Sequence, residues 1–79
     1  MKVSVKLFAS AREKTGSEVA ELDVASPARV QDLLTALRDV YPDLCSVTGR
    51  WAVNLDFVAL EYPVTSEDEV AFIPPVSGG

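Results

Sequence analysis

Ser26-Pro27-Ala28-Arg29-Val30-Gln31-Asp32-Leu33-Leu34-Thr35-Ala36-Leu37-Arg38-Asp39-Val40-Tyr41-Pro42 is the stretch that decides the fold. Val30, Leu33, Leu34, Leu37, Val40 and Tyr41 recur at helical spacing and fall in one apolar stripe. Ser26 suits an N-cap and Pro27 the first helical position. Asp32 lies near the positive helix start, and Pro42 closes the pattern. A helix of about three turns with a single apolar face must cover something flat.

The flanking segments supply the sheet. Lys2 to Phe8 alternates, with Val3, Val5 and Leu7 on one face and Lys2, Ser4, Lys6 and Phe8 on the other. Ala9 to Ser17 reads as a loop. Glu18 to Val24 alternates again, with Ala20, Leu22 and Val24 inward. Beyond the helix, Leu44 to Arg50 is a connector containing Gly49, and Trp51-Ala52-Val53 and Phe57 to Leu60 are short strands around a tight turn at Asn54-Leu55-Asp56. Glu61 to Asp68 is a further loop, and Glu69 to Ile73 is the last strand. One helix on one face of a small mixed sheet predicts a two-layer α+β fold. The ubiquitin-like β-grasp has this order of elements.

Composition excludes more than it identifies. The 79 residues make one domain, and 48% hydrophobic content is enough for a core. Twelve acidic against seven basic residues give a net charge of −5, which disfavours a nucleic-acid partner. Histidine is absent and Cys45 is the single cysteine, so an internal disulfide and a histidine general base are ruled out and a usual zinc site is improbable. There is no signal-peptide pattern and no long apolar run; a cytoplasmic protein without a membrane partner is expected. Such a chain has too few chemical side chains to act as an enzyme by itself.

The remaining chemical group is at the end of the sequence. Pro74-Pro75 cannot continue a central strand, so residues 74–79 are expected to leave the sheet as a flexible C-terminal arm. Six extended residues reach roughly 15–20 Å, enough to enter another protein's cleft. Gly78 and Gly79 present a carboxylate with no side chain beside it.

Three stretches carry a resemblance: Phe8-Ala9 with Arg12-Glu13, then Ala52-Val53-Asn54, then Asp68 to Gly79 ending Phe72-Ile73-Pro74-Pro75-Val76-Ser77-Gly78-Gly79. The chain resembles the molybdopterin synthase small-subunit family, sulfur carriers of the ubiquitin-like MoaD/ThiS type. The last twelve residues are the specific part of the match. The resemblance implies a β-grasp fold and a carrier role in molybdenum cofactor biosynthesis. An E1-like adenylyltransferase would consume ATP to adenylate Gly79, and the acyl-adenylate would become a thiocarboxylate. The large synthase subunit would then receive the arm, and sulfur would pass to cyclic pyranopterin monophosphate to build the dithiolene. The implied assembly is a heterotetramer of two small and two large subunits, with no cofactor permanently bound to this chain.

Strand parity adds a docking surface. If Phe72 is core, Ile73 points outward, and Phe57 likewise opposes Val58 and Leu60. With Phe8 these form an apolar patch near the root of the arm, and the family uses such positions to dock its partners. Phe8, Phe57, Ile73, Pro74, Pro75 and Val76 are therefore the candidate partner-binding residues, Gly79 the reacting one, and Gly78 the one that passes a narrow channel. Trp51 is expected in the core, Cys45 inert, and Glu67-Asp68-Glu69 a solvated turn. Arg12 and Glu13 either belong to the family motif or brace their loop. Other carriers, serving thiamine synthesis or transfer-RNA thiolation, use the same terminal chemistry; a ubiquitin-like modifier forming isopeptide bonds and a plain interaction module also fit the residues.

Overall fold

The computed structural model describes residues 1–75. In chain order the elements are β1 (Lys2–Leu7), α1 (Ala9–Thr15), β2 (Val19–Asp23), β3 (Ala28–Arg29), α2 (Val30–Val40), a 3₁₀ turn (Pro42–Ser46), β4 (Arg50–Val53), β5 (Asp56–Val58), β6 (Pro63–Val64) and β7 (Val70–Ile73). Five strands form a mixed sheet in the order β2-β1-β7-β4-β5. The first and last strands lie side by side and parallel, whereas every other pair in the sheet is antiparallel. β3 and β6 make a separate two-stranded ribbon. This is the α+β, β-grasp architecture expected from the sequence. Among the described residues no helix is long and apolar enough to cross a membrane.

Alternation decides which side of the sheet is dry. Val3, Val5, Leu7, Ala20, Leu22, Trp51, Val53, Val70 and Phe72 are buried on the side that meets Val30, Leu33 and Leu37 of α2. Trp51 lies in this core, its ring centroid 5.0 Å from that of Phe72 in a tilted pair. Leu44 of the 3₁₀ turn closes the end of the core. Each large apolar side chain contributes about 1.5–3 kcal/mol when fully buried.

Within the stretch Glu61 to Asp68, expected to be a loop, Pro63 and Val64 form β6 because they pair with the residues ahead of α2. Four further expectations change. Residues 9–15 are helical instead of a loop. Ala, Arg, Glu and Lys all favour helix, and Gly16, at φ +70°, ends it with its N–H donating to the Arg12 carbonyl at 2.9 Å. Only Ala11 of this helix is buried, so it has no apolar stripe to be read. Second, α2 begins at Val30, not at Ser26-Pro27. Ala28 and Arg29 are used in pairing with Val64 and Pro63, and the N–H groups of Val30 and Gln31 donate to the carbonyls of Tyr62 and Leu60. The helix start is thus held by a distant ribbon, with the Asp32 carboxylate accepting from the Arg29 N–H at 2.8 Å. Third, Val40, the last residue of α2, is exposed, while the next stripe position, Tyr41, is partly buried against the core. Fourth, Leu60 is exposed because β5 ends at Val58.

Candidate docking surface at the root of the arm

The face of the sheet opposite α2 is the open one, and strand register determines what it carries. Lys6 of β1 is in register with Ala71 of β7, Ala71 with Ala52 of β4, and Ala52 with Phe57 of β5. Two alanines therefore lie side by side in the middle of the face, between longer side chains. The result is a hollow of about 230 Å³ lined by Lys6, Phe8, Ala52, Leu55, Phe57, Glu69, Ala71 and Ile73. Parity thus places Phe8, Phe57 and Ile73 together, as the alternation of the strands predicts. Phe57 is 55% and Phe8 41% exposed, unusual for two aromatic rings sharing one depression.

The hollow runs toward the arm. A second groove, of about 430 Å³, is bounded by Thr48, Gly49, Arg50, Phe57, Ile73, Pro74 and Pro75. Phe57 and Ile73 belong to both depressions. Arg50 pairs in register with Ile73, and its guanidinium lies 3.8 Å from the centre of the Phe57 ring. That stacking holds a cation over the aromatic wall at the root of the arm.

The other end of the hollow is polar and firmly tied. Asn54 donates its backbone N–H to the Glu69 carbonyl at 2.8 Å, accepts the Glu69 N–H on Oδ1 at 2.9 Å, and donates Nδ2 to Asp68 Oδ1 at 3.0 Å. Asp68 Oδ2 accepts the Thr65 N–H at 2.8 Å. The Thr65 backbone bond, then the Asn54 amide, hold the Asp68 carboxyl below its ordinary pKa. Because the folded value is the lower one, this anchor is complete above the usual aspartate pKa and weakens as pH falls through the depressed value. Lys6 Nζ and Glu69 Oε1 form an exposed ion pair at 2.6 Å on the rim. Glu67-Asp68-Glu69 is therefore a turn, as expected, but Asp68 and Glu69 are bonded groups that fix the start of β7.

Pro74 departs from its expected place. Its side chain is fully buried, so it is packed into the fold beneath the groove it helps to bound; Pro75 is the exposed one of the pair. The arm emerges at residue 75 instead of 74. Gly49 explains how the root is packed, since a Cβ there would come within 3.0 Å of the Ile73 carbonyl oxygen, the Pro74 Cα and Phe72 Cε1. Two of those atoms are backbone and cannot swing aside. Gly49→Ala is expected to destabilise the domain by about 1–3 kcal/mol through overpacking, read as a lowered urea midpoint with unchanged slope.

The remaining candidates are dispersed. Arg12 Nη1 faces Glu18 Oε1 at 3.8 Å across the α1–β2 connection, a bracing contact, and Glu13 is exposed beside it. Cys45 is exposed on the 3₁₀ turn. Val76, Gly78 and Gly79 lie outside the described residues. Sequence reasoning misses Leu55, Arg50, Ala52 and Ala71 as parts of the surface. The first has a signal, a large apolar residue in a two-residue turn; the alanines have none, because their meeting depends on register.

A family model, described as the ThiS family, matches residues 5–79. The chain belongs to the ThiS family. The Escherichia coli (strain K12) molybdopterin synthase sulfur carrier subunit is 33% identical over 88 aligned residues, covering 98% of this chain and 99% of that one. The Chlamydomonas reinhardtii protein of the same name is 35% identical over 83 residues, covering 100% of both chains. The crystal structure of SAMP1 from Haloferax volcanii superposes with a TM-score of 0.90 at 36% identity, again covering 100% of both chains. The likeness read from the three stretches between Phe8 and Gly79 holds over the whole chain, which is a ubiquitin-like member of the sulfur-carrier family.

Proposed function

We propose that this ThiS-family chain is the sulfur-carrier small subunit of a molybdopterin synthase, with the Gly79 carboxylate as its reacting group. The observation that carries the reading is the end-to-end match with bacterial and algal chains bearing that name. The geometry supports it: β7 forms part of the apolar hollow and leads directly into the arm, so a body that receives the arm meets Phe8, Phe57 and Ile73 as well.

A carboxylate is a poor electrophile. An E1-like adenylyltransferase converts it to a mixed anhydride with AMP, releasing pyrophosphate from ATP. A sulfur nucleophile then attacks the Gly79 carbonyl, AMP leaves, and a thiocarboxylate results. Inside the large subunit that sulfur attacks cyclic pyranopterin monophosphate, and hydrolysis of the acyl link returns the carboxylate. Two rounds supply the two dithiolene sulfurs. The chain itself contributes the terminus, its reach and the docking face; ATP is spent by the activating enzyme, and no resident cofactor is required here. A cytoplasmic heterotetramer of two small and two large subunits accommodates these steps.

The test is reconstitution. Thiocarboxylated chain, large subunit and the pterin precursor should yield molybdopterin, whereas the carboxylate form should yield none; no product from the thiocarboxylate would overturn the pathway assignment. A second reading is favoured by the fold agreement with SAMP1, which is also 38% identical over 84 residues under the name small archaeal modifier protein 1. In that case Gly79 forms isopeptide bonds, and Gly79-dependent adducts of higher mass on lysines would distinguish it.

A further inference from the structure

Leu55 occupies a position that neither backbone conformation nor burial favours. It is the second residue of the two-residue turn joining β4 and β5, which close on each other at Val53 and Asp56. Its φ is +74° and that of Asn54 is +52°. Turns with two positive φ values favour Asn followed by Gly, since left-handed backbone crowds a Cβ. Asn54 obeys the rule and Leu55 breaks it. The leucine gains little burial in return, being 88% exposed.

The turn is nonetheless held rigidly. The three Asn54 hydrogen bonds fasten it to Asp68 and Glu69, at the start of the strand that ends in the arm. Leu55 is thereby presented at the rim of the hollow that also holds Phe8, Phe57 and Ile73. Acid surrounds that end: Asp56 follows it, Asp68 and Glu69 lie across the Asn54 bonds, and Glu67 precedes Asp68 in the chain. Among the described residues Glu69 is matched by Lys6, while Asp56 and Glu67 have no ion pair. Arg50 stands at the opposite end, beside the arm. The face is thus apolar in the middle, acidic around Leu55 and basic at the arm root.

We propose that Leu55 is an affinity-determining anchor that inserts into an apolar socket, flanked by basic groups, on the large synthase subunit. The inference rests on the carrier reading: the body that takes up the arm must lie over this face, because β7 both lines the face and leads into the arm. A strained, exposed leucine at a rigid tip is what a preformed anchor requires, since its geometry is set before the partner arrives.

The test separates stability from binding. Leu55→Gly relieves the backbone, so its melting temperature should rise by about 4 °C. Its Kd for purified large subunit, by calorimetry, should nevertheless increase at least about tenfold. Leu55→Asn, also compatible with positive φ, should weaken binding to a similar extent, and Leu55→Met should bind within about threefold of the parent. Unchanged affinity for Leu55→Gly would overturn the proposal. So would weaker binding accompanied by a fall in melting temperature, which would show that the turn, not the side chain, was lost. A parent chain that fails to bind the large subunit overturns the carrier reading itself, an outcome distinct from both.

Discussion

Removing Gly79 is expected to abolish sulfur transfer while leaving the fold intact. The deletion still leaves a terminal glycine carboxylate, that of Gly78, so the chemistry of the group is unchanged and only its reach is altered. One residue of extended chain is about 3.3–3.6 Å. A misplacement of about 1 Å at a reacting centre can cost on the order of a hundredfold in rate. A loss of several ångströms should reduce product below detection in the reconstituted synthase. Core residues run from Val3 to Phe72, and the fold of the described part is closed by Pro74. The unfolding free energy should therefore stay within about 0.5 kcal/mol of the parent. Molybdopterin formed at the parent rate by the shortened chain would remove Gly79 from the mechanism.

Phe8→Asp should weaken binding to the large subunit by roughly tenfold to a hundredfold. Phe8 is 41% exposed in the free domain, so covering the remainder of its ring contributes only part of the about 1.5–3 kcal/mol of full burial. Each 1.4 kcal/mol is a factor of about ten, and the charge introduced supplies the rest of the loss. The substitution also asks a carboxylate to lose water in the middle of an apolar hollow. What makes this variant informative is its effect on the fold. Phe8 is the N-cap of α1, with extended backbone and no side-chain capping bond. Aspartate is a preferred residue at that position, so the domain should be at least as stable as the parent. Titration calorimetry and thermal melting on the same samples separate the two effects. Equal affinity with an intact melt would exclude Phe8 from the interface.

Strand periodicity makes much of this surface legible in the sequence. Alternation in β1 puts Phe8 with the wet residues, and the opposite parity of Phe72 and Ile73 puts the latter on the same side. The α2 stripe is equally readable at Val30, Leu33 and Leu37, because amphipathic spacing is a local property. What escapes the sequence depends on distant partners. The start of α2 is set by the β3–β6 ribbon, whose strands pair Ala28 with Val64 and Arg29 with Pro63, far apart along the chain. The hollow exists because Ala52 meets Ala71, a consequence of the β4–β7 register. Pro74 has the sequence signature of an arm's first residue, since a proline cannot extend a sheet. It is buried because Gly49, with no Cβ, lets the connector lie directly against it. Leu55 reads as an ordinary turn residue, and its significance lies in its positive φ and its place on the rim, neither of which is local to its type.

If Gly79 carries sulfur as a thiocarboxylate, the exchange of oxygen for sulfur changes the mass of the intact chain. Intact-mass spectrometry tests it directly, on the full chain incubated with ATP, an E1-like adenylyltransferase and a sulfur donor. The predicted result is a mass increase equal to the replacement of one oxygen by sulfur, dependent on ATP, located on the C-terminal peptide and absent from the chain lacking Gly79. An unchanged mass, with an adenylyltransferase shown to be active on another carrier, would contradict the account.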